Sequence, residues 1–336
     1  MEKEFLSYNQ QMKRLRDKSI LCKGAHDKTL LVRAGYFNLI NGYKDPFICK
    51  IDSTGKHIYL DNCDIEHFQK LKTFDDELRC ILLKYITKVE EEIRTLTGYK
   101  IDQCNGNGKI PWYDAKAYSD KKKLQDKMKA ISSAYKELSV SKLNYVRFYM
   151  NNHSSIPTWI MVKVVNFATF IDILRVSKIP VLHSLCHLYG IYDKNGYCNV
   201  KLLIGSLHWL RKVRNSCAHN ERIYNLQETF SKGKYNTTGR IKEIYLSQLN
   251  SSYVLSDSGK RIIDLLVYLK YYLPPKEYKR LINIIINLMS NLKNAVPPVA
   301  FDNICISMGI HNFTDIEKLK ELSKDEIKYN KFDTLM

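Results

Sequence analysis

At 336 residues the chain is long enough to bury one large core or two medium ones. With 45% hydrophobic and 26% charged residues it is neither a disordered nor a fibrous chain. Its net charge of +18 favours polyanions or reflects a solvated Lys-rich surface.

Nine cysteines are scattered without a CxxC pair, so a disulfide framework is not expected. The most apolar stretch, Trp159–Leu174, is interrupted by Lys163, Asn166 and Asp172 and is too short for a membrane span. The amino end reads Met-Glu-Lys-Glu rather than a basic segment leading into an apolar one. These features together predict a cytoplasmic protein with reduced thiols and no membrane partner.

In chain order, helical patterns are predicted over Phe5–Arg16 and Asp27–Ile40. A hairpin follows, in which Phe47–Ile51 and His57–Leu60 flank the turn residues Asp52-Ser53-Thr54-Gly55. From Asp64 the apolar residues Leu78, Leu82, Tyr85, Val89 and Ile93 recur at helical spacing. Asp75 and Asp76 suit the beginning of that segment, and Gly98 and the Gly106/Gly108 loop its end. A Lys-rich amphipathic helix is predicted over Asp120–Leu138, and a long apolar one from Ser155-Ile156-Pro157 through Leu174. Val181–Tyr189, Val200–Val213, Arg222–Phe230, Lys260–Tyr272 and Glu277–Leu292 complete the helices, with a polar loop at Ser231–Gly239. Pro297-Pro298 marks a break before a short tail. The fold class read from this pattern is all-α, with strands confined to a small N-terminal region.

The segment from Val213 to Asn225 differs from its surroundings by its density of polar groups. If it is helical, Asn215, His219 and Arg222 share one stripe and Arg214 lies one step round from it. An imidazole, a guanidinium and an orienting amide suit RNA cleavage, because RNA carries its own nucleophile, the 2′-OH. Such a site needs a base, an acid and a cation at the phosphorane, and no metal ligands or other cofactor. One chain supplies one such His, so a homodimer with a composite site is expected. The spacing alone is weak, since Arg and His five residues apart occur often by chance. A buried His capping the helix, with Arg214 and Arg222 paired to Glu90 or Glu221, is the structural alternative.

The extended pattern is more specific. Arg214-Asn215-x-x-Ala218-His219 followed by Asn220-x-Arg222-Ile223-Tyr224-Asn225 resembles the HEPN motif of the Abi-like (AbiD/AbiF-type) abortive-infection proteins of bacteria. Leu30, Gly35-Tyr36, Leu39, Gly42-Tyr43 and Pro46-Phe47 are similar to that family's N-terminal signature. Leu78-Arg79 with Val89-Glu90 and Arg94 resembles a second block, and Pro157-x-Trp159 with Phe167 a third. The blocks keep the family's order over roughly residues 10–290.

The resemblance implies a HEPN-like helical bundle over 64–295, an N-terminal Abi-type region over 1–63 and a tail over 296–336. It implies an endoribonuclease toxin in antiphage defence, RNA as substrate, and in some systems a structured regulatory RNA as partner. Carried over, the catalytic residues are Arg214, Asn215 and His219, with Arg222, Glu90, Arg94 and Lys163 as RNA-binding or supporting residues. Lys163 stands where the family carries Glu. A surface salt bridge is the plainer reading of Glu90 and Arg94, and a non-catalytic RNA-binding or sensor module is the alternative function.

Other groups are weaker. His183, Cys186 and His187 have a spacing compatible with zinc, without a second ligand pair nearby in sequence. Lys121, Lys122, Lys123, Lys127 and Lys129, between Tyr118 and Tyr135, form an RNA-backbone ridge or a solvated helix face. The 23 tyrosines offer rings for base stacking, although many fall at core spacing.

Overall fold

The computed structural model describes residues 5–193, 195–227 and 261–321. Among these the protein is mainly α, with one two-stranded antiparallel sheet. No helix among them is long and apolar enough to cross a membrane.

Two short helices open the fold, α1 (Tyr8–Arg16) and α2 (Gly24–Ala34). The expected helix over Asp27–Ile40 is broken at Gly35, whose φ of 75° no side-chain-bearing residue adopts cheaply, and a π-helical turn takes over at Phe37–Asn41. The hairpin forms as expected, with β1 (Ile48–Ile51) paired to β2 (His57–Tyr59) in antiparallel register.

The spine of the molecule is α3 (Ile65–Cys104), a 40-residue helix. Asp64 caps its N-terminus by accepting from Glu66 N at 2.9 Å, and His67 Nδ1 accepts from Asp64 N at 3.1 Å. The stripe Leu78, Leu82, Tyr85, Val89 and Ile93 is buried throughout. Two expectations fail here. Asp75 and Asp76 lie well inside the helix rather than at its beginning, and Gly98 is interior rather than terminal. A Cβ on Gly98 would meet Val162 Cγ2 at 3.0 Å, so the glycine lets α6 (Thr158–Val164) press against the spine.

α4 (Leu124–Ser139) and α5 (Asn144–Asn152) precede α6. The long apolar helix expected through Leu174 is two helices, α6 and α7 (Phe167–Val176). Val165 is extended, and the Asn166 side chain caps α7 by accepting from Ala168 N and Thr169 N. α8 (Ile179–Tyr189) and α9 (Val200–Ala218) follow, and α3 packs against α6, α8 and α9. The Ser231–Gly239 loop lies outside the described residues.

α10 (Ile262–Tyr272) is buried along its whole length, and α11 (Pro275–Lys293) covers part of it and of α3. Directly after Pro297, within the segment read as a short tail, the described residues form α12 (Pro298–Met308), which packs on the turn at Asp45–Phe47 and donates from Asn303 Nδ2 to Pro46 O at 2.9 Å.

The first turn of α10 contains Asp264, fully buried. One of its oxygens accepts from Arg261 N at 2.7 Å and Oδ1 has no partner among the described residues. Burial pushes this carboxyl up to about 7. An unfolded Asp titrates near ~3.9. Through that window the unfolded chain releases a proton that the folded chain keeps, so this group lowers stability as pH rises from about 4 to 7. Asp264→Asn is expected to melt higher than the wild type at pH 7, with the gain vanishing towards pH 4. A difference in melting temperature that does not change with pH would contradict this.

Candidate active site

The motif segment begins on the last turn of α9. The helix ends at Ala218, and His219 is its C-cap residue. Asn220 takes a left-handed conformation, φ 57°. Its N–H reaches Cys217 O at 3.2 Å and Glu221 N reaches Ser216 O at 2.9 Å. This pair of bonds is a Schellman closure, with Asn in the position where Gly is most common. His219 N donates to Asn215 O at 2.9 Å, so the two residues remain one turn apart on one side of the helix end.

This closure corrects the expected stripe. Residues 221–223 are not helical, and the predicted helix from Arg222 is absent over its described part. Arg222 points instead to the N-terminal region, where Nη1 donates to Gly42 O. That bond ties the residues beyond His219 to the N-terminal region.

Arg214 is oriented by two partners. Its Nε stands 3.2 Å from Glu90 Oε2, and its Nη1 donates to Asn215 Oδ1 at 3.1 Å. The structural alternative anticipated the Arg214–Glu90 pair, but it also required a buried His, and His219 is exposed. The guanidinium itself is about one-third exposed, and its remaining donors have no hydrogen bond among the described residues. The His219 ring likewise makes none there.

Glu90 and Arg94 are not a surface pair. Both are more than nine-tenths buried on α3. Arg94 Nη2 and Nε donate to Glu90 Oε1 at 2.6 and 3.1 Å, and Arg94 Nη1 donates to Val162 O and Val165 O. Arg94 thus places a cation on the open carbonyls at the C-terminus of α6. Burial lowers the Arg94 pKa below its ordinary value, opposed by Glu90 and reinforced by the Arg214 cation. Glu90 accepts from Arg94 on one oxygen and faces Arg214 with the other. The chain Arg94–Glu90–Arg214–Asn215 therefore runs from the core to the surface, ending beside His219.

Lys163 does not join this chain. It is exposed on α6, with Nζ 5.6 Å from the centre of the Tyr145 ring. Cys217, inside the motif, is buried, and burial pushes its thiol up to about 12, which removes it as a nucleophile. Of the remaining groups, His187 Nδ1 bonds Tyr192 OH at 2.8 Å and Cys186 is buried. Among the described residues the only His/Cys/carboxylate triple with ligand atoms within 4.8 Å of one another is His26, Asp27 and Glu66, on α2 and the first turn of α3.

Two supporting residues were not anticipated. Asp75 is fully buried and accepts from Tyr43 Oη at 2.9 Å, Arg79 Nη1 at 2.7 Å, Tyr224 N at 2.8 Å and Ile223 N at 3.2 Å. Arg79 also donates to Glu221 O at 3.2 Å. The Tyr43 and Tyr224 rings stack 5.9 Å apart. The residues after His219 are therefore fixed to α3 and to the N-terminal region by one buried polar knot. A signal existed, because Asp75 falls on the apolar stripe of Leu71, Leu78 and Leu82, where a charge demands partners.

The family model for Abi-like proteins matches residues 29–225, more than half of the chain. The match spans the Gly42-Tyr43 block, the spine helix and the motif segment. No curated protein and no solved structure matches.

Proposed function

Since the chain belongs to the Abi-like protein family, we propose that it is a HEPN-type endoribonuclease of phage defence, acting by abortive infection or as a toxin. Family membership itself suggests abortive infection. The observation that carries the finer reading is the partly exposed Arg214, aimed by Glu90 and Asn215, on the same helix end as an exposed His219.

In this reading a phosphodiester lies against Arg214. The 2′-OH oxygen attacks the adjacent phosphorus and loses its proton to an imidazole, while the bond to the 5′ oxygen breaks and that oxygen receives a proton. The Arg214 guanidinium neutralises the charge gathering on the non-bridging oxygens. The products are a 2′,3′-cyclic phosphate and a 5′-hydroxyl. Because one chain brings one such imidazole, His219 of a second copy supplies the other proton transfer in a two-fold dimer. The RNA brings the nucleophile, so the step requires no metal.

The test is the chemistry of the ends. Purified protein with chelator present is expected to leave cyclic-phosphate and 5′-hydroxyl ends on RNA. It is expected to spare a position whose sugar is 2′-deoxy. Cleavage at that deoxy position, or cleavage only with added divalent metal, would overturn the mechanism. Binding of RNA with no new ends would favour the non-catalytic sensor module instead.

A further inference from the structure

The α5–α6 face carries an arrangement that the cleavage chemistry does not use. α5 buries only Val146 and turns most of its other residues outward. Phe148 and Trp159 are 56% and 53% exposed, unusual values for such large apolar side chains. The rings form one continuous cluster. Tyr149 stacks on His153 at 4.7 Å, Phe148 meets His153 edge-on at 5.7 Å, and Trp159 meets Tyr149 edge-on at 5.7 Å.

One turn beyond Trp159, on the same side of α6, Lys163 sits over Tyr145. The segment that carries these rings brings cations and no carboxylate of its own, and the carboxylates that reach it from other elements, Asp102 at Thr158 and Glu137 at Asn166, are each held in hydrogen bonds at the two ends of α6. The sequence has no Asp or Glu between Glu137 and Asp172, while Lys142, Arg147 and Lys163 are exposed there. The far end of α6 is the end that Arg94 caps, so the face leads towards the Arg94–Glu90–Arg214 chain.

Exposed rings with cations beside them are what unpaired nucleotides require, since every base has a face to stack and every linkage a charge to neutralise. We propose that the α5–α6 face is a binding platform for single-stranded RNA, with Trp159 and Phe148 stacking bases and Lys163 contacting the backbone. The proposal rests on the reading that RNA is the substrate. It adds that the bound stretch is unpaired and that it is gripped away from the reacting phosphate.

Trp112 and Trp209 are 1% exposed, so quenching of tryptophan fluorescence by a ligand on this face reports on Trp159. The probe is a 2′-O-methyl oligouridine, which cannot be cleaved by 2′-OH attack, with a 2′-O-methyl duplex of equal length as control. The single strand is expected to quench saturably and the duplex not to. By anisotropy with a labelled oligonucleotide, Trp159→Leu and Phe148→Ala are each expected to weaken binding about 5- to 150-fold. Lys163→Ala is expected to reduce the slope of log affinity against log salt by about 0.7.

Unchanged affinity in both ring variants, or equal quenching by the duplex, would overturn the platform. So would a concentration-dependent blue shift of Trp159 emission without oligonucleotide, which would mean that another protein surface covers the face. Normal binding by the ring variants alongside end-generating activity would sink the platform and leave the nuclease reading standing. Platform binding without any cleavage would do the reverse.

Discussion

His219→Ala is expected to slow RNA cleavage by about 10²- to 10⁴-fold, the usual contribution of a positioned proton-transfer group. The melting temperature should hardly move, because the side chain is exposed and makes no hydrogen bond among the described residues. Arg214→Ala should cost about 10²- to 10³-fold in the same assay, as expected for a cation at a developing oxyanion. Unlike the His variant it also leaves Glu90 facing an empty position, so a measurable loss of stability should accompany it. Single-turnover rates on one RNA, with thermal melts of each variant, separate the two effects. Wild-type rates from a clean preparation of the His219 variant would remove that residue from the chemistry.

Asp75→Ala is expected to destabilise the fold by about 3–5 kcal/mol, the range for removing one member of a buried, hydrogen-bonded charge pair. The carboxylate receives two backbone N–H groups, a tyrosine hydroxyl and a guanidinium; truncation strands the N–H groups and the hydroxyl without solvent, while Arg79 keeps Asp76 and Glu221 O. Asp75→Asn keeps the volume but removes the negative charge that faces Arg79, and should fall between the wild type and the alanine variant. Urea unfolding provides the measurement. A loss below about 1 kcal/mol for the alanine variant would mean that water or a shifted Arg79 replaces the carboxylate.

Much of this was legible beforehand because it depends on period and caps. The α3 stripe, the hairpin around Asp52–Gly55 and the extents of α8 and α11 follow from spacing and turn residues, whereas α9 runs past the expected Val213 to Ala218. Other features were hidden because tertiary partners decided them. Apolar residues run unbroken through Val164-Val165, and only the Asn166 cap, held from across the bundle by Glu137, splits that run into α6 and α7. At the site, residue types and the Arg214–Glu90 proximity were readable. The direction of Arg222 was not, because a single left-handed residue at Asn220 redirects the chain. Arg94 was read as one half of a pair, whereas its second task, holding the end of α6, depends on a helix that arrives from far along the sequence.

Asp75 and Glu90 occupy one unbroken helix, fifteen residues and about 22 Å apart. The knot that fixes the chain beyond His219 and the carboxylate that aims Arg214 are thus graduations on a single ruler. Gaining or losing one residue between them would swing one relative to the other by about 100° and move it about 1.5 Å. Length variation that surface connections absorb readily is therefore mechanically forbidden across this stretch.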